Sequence, residues 1–174
     1  MSNQTLLWAS FVVSWLSLLF LKQTEIRRYM PVALFGGLVT TIVMELGITL
    51  HWWLPTETVF PFVNMSIFTY GPYLIGIIWI FTYTYGRFWL FMVTNAVTDF
   101  ILTFLLANWF VQIGIFQFYI PSYQLLLMAL LIAVLLYGYQ LWQTGAAGAE
   151  ALPGLQPAAG KPLPDKRNDR QDKP

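Results

Sequence analysis

Charge is confined to the ends of this chain, and that confinement limits what it can fold into more than any other feature. From Tyr29 to Ala149 only Glu45, Glu57, Arg87 and Asp99 are charged. A soluble domain carries about 25% charged residues, whereas this chain is 10% charged and 57% hydrophobic. A water-facing surface cannot be assembled from that inventory. A hydrocarbon layer about 30 Å thick accepts a helix of roughly 20 apolar residues, because a helix satisfies its backbone polar groups internally. Residues 5–21, 31–53, 66–85, 88–110 and 122–142 meet that requirement. The expected fold is all-α, a polytopic transmembrane helical bundle of about five spans.

Punctuation residues agree with these boundaries. Pro31 and Pro121 are expected in first helical turns, where a missing N–H costs nothing, and Gly86 is expected to turn the chain between spans three and four. Gly71-Pro72 falls inside the third span, which must either kink there or begin there. Orientation follows from the loops. Lys22, Arg27 and Arg28 precede span two, Arg87 precedes span four, and the remaining basic residues follow span five, so all 9 lie on one side. The loops 54–65 and 111–121 contain none. The amino terminus is therefore expected outside the cell and the carboxyl tail in the cytoplasm. Trp8, Trp52, Trp53 and Trp109 would then line the outer interface, with Tyr29, Trp89 and Trp142 at the inner one.

Span one lacks the basic leader and small-residue cleavage site of a secretory signal and is read as a retained helix. From residue 144 onward Gly, Ala, Pro and mixed charges take over, so 1–143 reads as the membrane domain and 144–174 as a disordered cytoplasmic tail. Asp165, Asp169 and Asp172 nearly cancel the basic charge of that tail and argue against a polybasic lipid anchor. The chain has no cysteine, which removes thiolate metal sites and cysteine nucleophiles. No nucleic-acid partner is expected from a net charge of +1 without a basic patch. The sequons at Asn3 and Asn64 carry no weight by themselves.

A polar pattern occurs twice. At an offset of 54 residues, Thr41, Glu45 and Thr49 lie over Asn95, Asp99 and Thr103. Residues four apart share a helix face, so each span presents one polar stripe centred on a carboxylate. The likeness suggests two hairpins related by an axis along the membrane normal. A carboxylate facing lipid costs about 2.5–3.5 kcal/mol on insertion scales, so both are expected to face the bundle interior near mid-membrane. If the stripes meet, Glu45 and Asp99 would share a proton or hold a cation. The plainer alternative is that the stripes only hydrogen-bond helix to helix, each bond contributing about 0.6–2 kcal/mol.

The other candidates are more modest. His51, the sole histidine, sits at the outer end of span two, where an interfacial role is the simplest; one histidine cannot supply both axial ligands of a haem, and no metal site is expected. Arg87 reads as a topology anchor, with pairing to an acidic group or lipid headgroup as its sharper role. Phe68, Tyr70, Tyr73, Trp79, Phe81, Tyr83 and Tyr85 give span three an aromatic density suited to packing, or to a flat ligand such as a quinone or carotenoid. No catalytic triad, P-loop, HExxH or dinucleotide fingerprint is present.

Met30-Pro31-Val32-Ala33-Leu34-Phe35, Met44-Glu45-Leu46-Gly47, Tyr70-Gly71-Pro72-Tyr73 and Tyr85-Gly86-Arg87-Phe88-Trp89 together resemble a family of small multi-spanning membrane proteins of spore-forming Gram-positive bacteria. The resemblance covers residues 27–142. It implies a bacterial plasma membrane and carries over no catalytic or binding residue or cofactor.

The expected function is binding or translocation of a proton, cation or small ligand through a Glu45/Asp99 polar core, with the lipid bilayer as surroundings and a homo-oligomer or another membrane protein as a possible partner. One alternative is a non-catalytic accessory subunit. Another is a membrane enzyme acting on a lipid or isoprenoid, with the two carboxyls as acid and base.

Overall fold

The computed structural model describes residues 3–57, 59 and 66–150 and is mostly helical. α1 (Asn3–Ser17) closes in a 3-10 turn over Leu18–Phe20. Extended Lys22 then caps α2 (Gln23–Thr49), whose first turn carries Glu25 near the positive end of the helix dipole. α3 (Ser66–Phe68), a π-helical turn (Thr69–Tyr73) and α4 (Leu74–Thr84) form one rod, because Phe68, Tyr73 and Leu74 all keep right-handed helical angles. After a turn at Gly86 (φ +88°), α5 (Phe88–Ile101), a second π turn (Leu102–Leu106) and α6 (Ala107–Gln112) form another. α7 (Ser122–Glu150) completes the chain as described.

Among the described residues four helical stretches are long and apolar enough to cross a membrane: Asn3–Phe20, Gln23–Thr49, Phe88–Gln112 and Ser122–Gly145. The rod from Ser66 to Thr84 is not one of them. It is instead the most enclosed element, packed against α1, α2 and α5, with Leu74, Ile75, Ile78 and Phe81 each at most 2% exposed. A helix surrounded by helices can carry Thr69, Tyr73 and Thr84 because its surface meets protein.

Three boundaries differ from the sequence expectation. Pro31 lies inside α2, not in its first turn, because Gln23–Met30 is already helical and the proline removes only one N–H from a long ladder. The loops expected between helices form a two-stranded ribbon, β1 (Trp53–Pro55) with β2 (Phe116–Phe118), so the fold is not wholly α. Trp53 pairs with Phe118, Leu54 with Gln117 and Pro55 with Phe116, antiparallel. α7 is helical to Glu150; the rest of the expected tail lies outside the described residues. Gly86 and Pro121 stand where expected, Pro121 immediately before α7 with its carbonyl accepting the Gln124 N–H.

The ribbon is held by two matching helix ends. At the end of α2 the His51 N–H donates to the Ile48 carbonyl and the Trp52 N–H to the Gly47 carbonyl. At the end of α6 the Gly114 N–H donates to the Val111 carbonyl and the Ile115 N–H to the Phe110 carbonyl. Both are Schellman caps, with His51 (φ 57°) and Gly114 (φ 74°) in the left-handed position. Each cap turns the chain directly into a strand. The Asn3 amide donates to the Glu57 carboxylate and the Ile113 carbonyl, which ties the start of α1 to the same end.

Packing divides into two apolar clusters. One, near the ribbon, gathers Leu7, Trp53, Ile67, Phe110, Ile115 and Phe116. The other, toward the basic end, is built on Tyr29, Ile78, Phe81, Phe91, Leu136 and Tyr137. Phe81 lies 4.8 Å from Phe91 between ring centroids, and Phe91 lies 4.9 Å from Tyr137. Arg28 stands over the Tyr29 and Tyr85 rings at 5.4 and 5.1 Å, a cation–π seat at the rim of this cluster.

Trp53 is 3% exposed, and its indole N–H donates to the Met44 carbonyl at 3.2 Å. Its ring occupies the space that a β-carbon on Gly47 would need. Gly76, by contrast, faces open space. Gly47→Ala is expected to destabilise the fold by about 1–3 kcal/mol through overpacking, lowering the midpoint of thermal unfolding in detergent, while Gly76→Ala leaves it unchanged or higher. Equal midpoints for the two variants would contradict the packing of Trp53 on α2.

Candidate functional site

A cavity of about 600 Å³ lies between the two clusters and takes wall residues from each of them. Every long helix contributes: Ser10 from α1, Thr40 from α2, Tyr73 from the first π turn, Asp99 from α5, Thr103 from the second π turn and Met128 from α7. Most of the remaining wall is aliphatic or aromatic.

The stripe expected on the fourth span faces this cavity. Asn95, Asp99 and Thr103 all line it, joined by Thr98. Asn95 donates its amide to the Phe91 carbonyl at 2.8 Å. Thr103 is 8% exposed. Asp99 is half-buried, and Tyr73 and Thr40 line the same cavity. A carboxylate, an amide and several hydroxyls thus share one wall of an otherwise apolar chamber.

The stripe on the second span does not. Thr41, Glu45 and Thr49 are outside the cavity wall, and α2 turns Thr40, Val43 and Met44 toward it instead. Glu45 and Thr49 are exposed on the outer side of α2. Thr49 donates its hydroxyl to the Glu45 carbonyl at 2.9 Å. Thr41 donates to the Gly37 carbonyl at 2.8 Å and stands 3.1 Å from the Tyr70 hydroxyl. One residue of helix turns a side chain by about 100°, so the neighbouring Thr40 takes the inward position that the stripe was expected to hold.

Depth separates the carboxylates as well. The two Schellman caps make Thr49 correspond to Gln112 and His51 to Gly114. In that register the position matching Asp99 is Gly36, and the position matching Glu45 is Asn108. Glu45 lies about one turn below the ribbon and Asp99 between three and four turns below it, a separation of roughly 13 Å along the helix axes. The similar depth expected of Glu45 and Asp99 therefore gives way to different levels on the two helices.

Both π turns border the cavity, through Thr69, Pro72 and Tyr73 on one side and Leu102, Thr103 and Leu106 on the other. Single π turns inside α-helices re-aim side chains and are frequent at functional sites. The first has a local cause. Pro72 lacks an N–H, the Leu74 N–H reaches the Gly71 and Thr69 carbonyls, and the Tyr70 carbonyl accepts the Trp15 indole N–H at 3.1 Å. In the second, the Ala107 N–H reaches five residues back to the Leu102 carbonyl, with neither glycine nor proline in the segment.

The aromatic residues of the third expected span serve three places. Phe68 and Tyr73 line the cavity. Phe81 and Tyr85 belong to the cluster at the basic end. Tyr83 is exposed and stacks on Trp79, whose indole donates to the Ser17 hydroxyl at 3.1 Å. Arg87 sits in the turn before α5, its N–H donating to the Thr84 carbonyl and its own carbonyl accepting the Phe91 N–H. No group of three His, Cys, Asp or Glu residues is close enough to hold a metal among the described residues.

Tyr73, Thr40 and Thr98 are site residues that the four-residue spacing did not single out. Thr40 and Thr98 each adjoin a stripe residue. Tyr73 follows Pro72, whose kink was the available signal.

His51 lies outside the cavity wall and has a structural task in the α2 cap. Left-handed backbone costs a residue with a β-carbon roughly 1–2 kcal/mol, and glycine avoids that cost. His51→Gly is expected to hold or raise the unfolding midpoint, whereas His51→Val lowers it. Loss of stability in His51→Gly would instead assign the imidazole a contact of its own. Comparison with family models, with curated proteins and with solved structures finds no match, so the chemistry of the cavity rests on its own residues.

Proposed function

We propose that the chain is a five-span, multi-pass protein of the cell membrane that binds a small ligand in its central cavity, with Asp99 as the selecting group. The observation that carries this reading is the inward placement of Asn95, Asp99 and Thr103 on one wall of a chamber of about 600 Å³. Small-molecule sites have this character, being apolar concavities of about 300–1,000 Å³ with a few convergent polar groups.

The membrane setting is supported by the four long apolar helices. The enclosed rod from Ser66 to Thr84 is read as the fifth crossing, shielded from lipid by its neighbours. Lys22, Arg27, Arg28 and Arg87 all lie in helix ends and turns away from the ribbon, so the positive-inside tendency puts the ribbon outside and the tail in the cytoplasm. The ribbon cluster contributes Leu7, Trp53, Phe110 and Phe116 to the cavity wall, and the cluster at the basic end contributes Ile77, Ala133 and Leu136. A cavity lined from both clusters suits binding of a small molecule. The role given to the Glu45/Asp99 pair falls to Asp99 with Asn95, Thr98, Thr103 and Tyr73.

Two measurements test this. Since the chain lacks cysteine, single cysteines at Gln117 and Trp89 report sidedness. An impermeant maleimide is expected to label position 117 in intact cells and position 89 only after permeabilisation; the reverse pattern would overturn the orientation. Solvent extraction and mass spectrometry of the purified protein should find a small molecule with the native chain and with Gly76→Ala, and lose it when Gly76→Phe fills the cavity. A molecule retained equally by Gly76→Phe would place binding elsewhere.

A further inference from the structure

The charge inventory of the cavity narrows the class of ligand. Asp99 is the one charged side chain in the wall among the described residues, with no lysine, arginine or histidine beside it. Among those residues no hydrogen-bond donor reaches its carboxylate, and Tyr73 lines the same cavity. A half-buried carboxylate without a counter-charge favours any occupant that supplies one. An anion would face Asp99 with no basic partner, and a zwitterion that turned its cation to Asp99 would leave its anionic end unpaired against the rest of the wall.

Inorganic cations fit less well than organic ones. Calcium takes six to eight oxygen ligands, and magnesium demands a near-octahedral shell. Here the carboxylate is accompanied on its own helix by Asn95, Thr98 and Thr103 alone, and no acidic or histidine cluster joins it among the described residues. The walls from the other elements are mostly hydrocarbon and aromatic, including Phe68, Tyr73, Met128 and Ile132, with the hydroxyls of Ser10, Thr40 and Thr69 among them. Aromatic faces attract an organic cation, and aliphatic walls take up the body that carries it.

We propose that the cavity takes an amphipathic organic monocation, with its cationic head against Asp99 and its apolar body along α6 and the first half of α7. This rests on the ligand-binding reading above and adds the sign of the ligand's charge. Tyr73 and Asn95 act as positioning groups at the head, and Gly76 borders the same cavity.

The test uses the full chain in lipid nanodiscs, with empty nanodiscs as the reference, and probes of similar shape but different charge: tetraphenylphosphonium, tetraphenylborate and neutral triphenylmethanol. The native protein is expected to bind the phosphonium roughly tenfold or more tighter than either of the others. Asp99→Asn should remove that preference without weakening triphenylmethanol, and Asp99→Glu should restore part of it. Equal binding of all three probes to the native protein overturns the inference without reference to any variant. Unchanged phosphonium affinity in Asp99→Asn also overturns it. In either case the ligand-binding reading stands if Gly76→Phe still abolishes binding. If no probe binds the native protein, or Gly76→Phe leaves binding intact, that reading falls together with this one.

Discussion

The pairing of Trp53–Pro55 with Phe116–Phe118 sets the height of the two long rods relative to one another, and most of the site depends on it. Each strand leaves its helix through the same cap, so the end of α2 and the end of α6 stand at one level. Counting back from that level separates the carboxylates. Glu45 comes near the ribbon and on the outer side, while Asp99 comes well below it and faces inward. Glycine at position 36 matches Asp99 in that register, and it allows the close approach of Ile77 from α4 and Leu136 from α7. The two hairpins thus share an ending but differ in content: one packs tightly where the other presents a charge.

The chamber exists because two helices depart from regular geometry at similar places around it. A π turn adds a residue to the ladder and rotates the residues beyond it about the helix axis. In the central rod Tyr73, at the end of the turn, lines the cavity; in the α5–α6 rod Leu106, at the end of its turn, does so as well. α7 supplies another part of the wall. Its second half is anchored by Tyr139 stacked on Phe35 at 4.3 Å and by Tyr137 against Phe88 and Phe91. Its first half lines the cavity with Leu125, Met128 and Ile132.

Much of the helical plan was legible in the sequence, because apolar length and turn residues act locally. Gly86 and Pro121 stand where their backbone preferences put them, and Gly71-Pro72 falls within the first π turn of a continuous rod. The stripe on α5 was legible for the same reason, since four-residue spacing shows which residues share a face. Which way a face points is not local. Thr41, Glu45 and Thr49 share a face as securely as Asn95, Asp99 and Thr103 do, yet the packing of Gly36 and Trp53 turns the first stripe outward. An internal match of sequence also cannot reveal that the helices carrying it end at different points. The ribbon was illegible because its strands are short and take their stability from the caps and from Trp53. The second π turn, in Leu102–Leu106, has no residue that announces it.

The central claim is that Asp99 faces the interior of the bundle and Glu45 does not. Spin labels placed singly at positions 45, 95, 99 and 103 of the protein in liposomes would report this through collision with dissolved oxygen, which concentrates in the hydrocarbon of the bilayer. The arrangement predicts low oxygen accessibility at 95, 99 and 103, and distinctly higher accessibility at 45. Accessibility at 99 equal to that at 45, or a protected label at 45 beside an exposed one at 99, would contradict it.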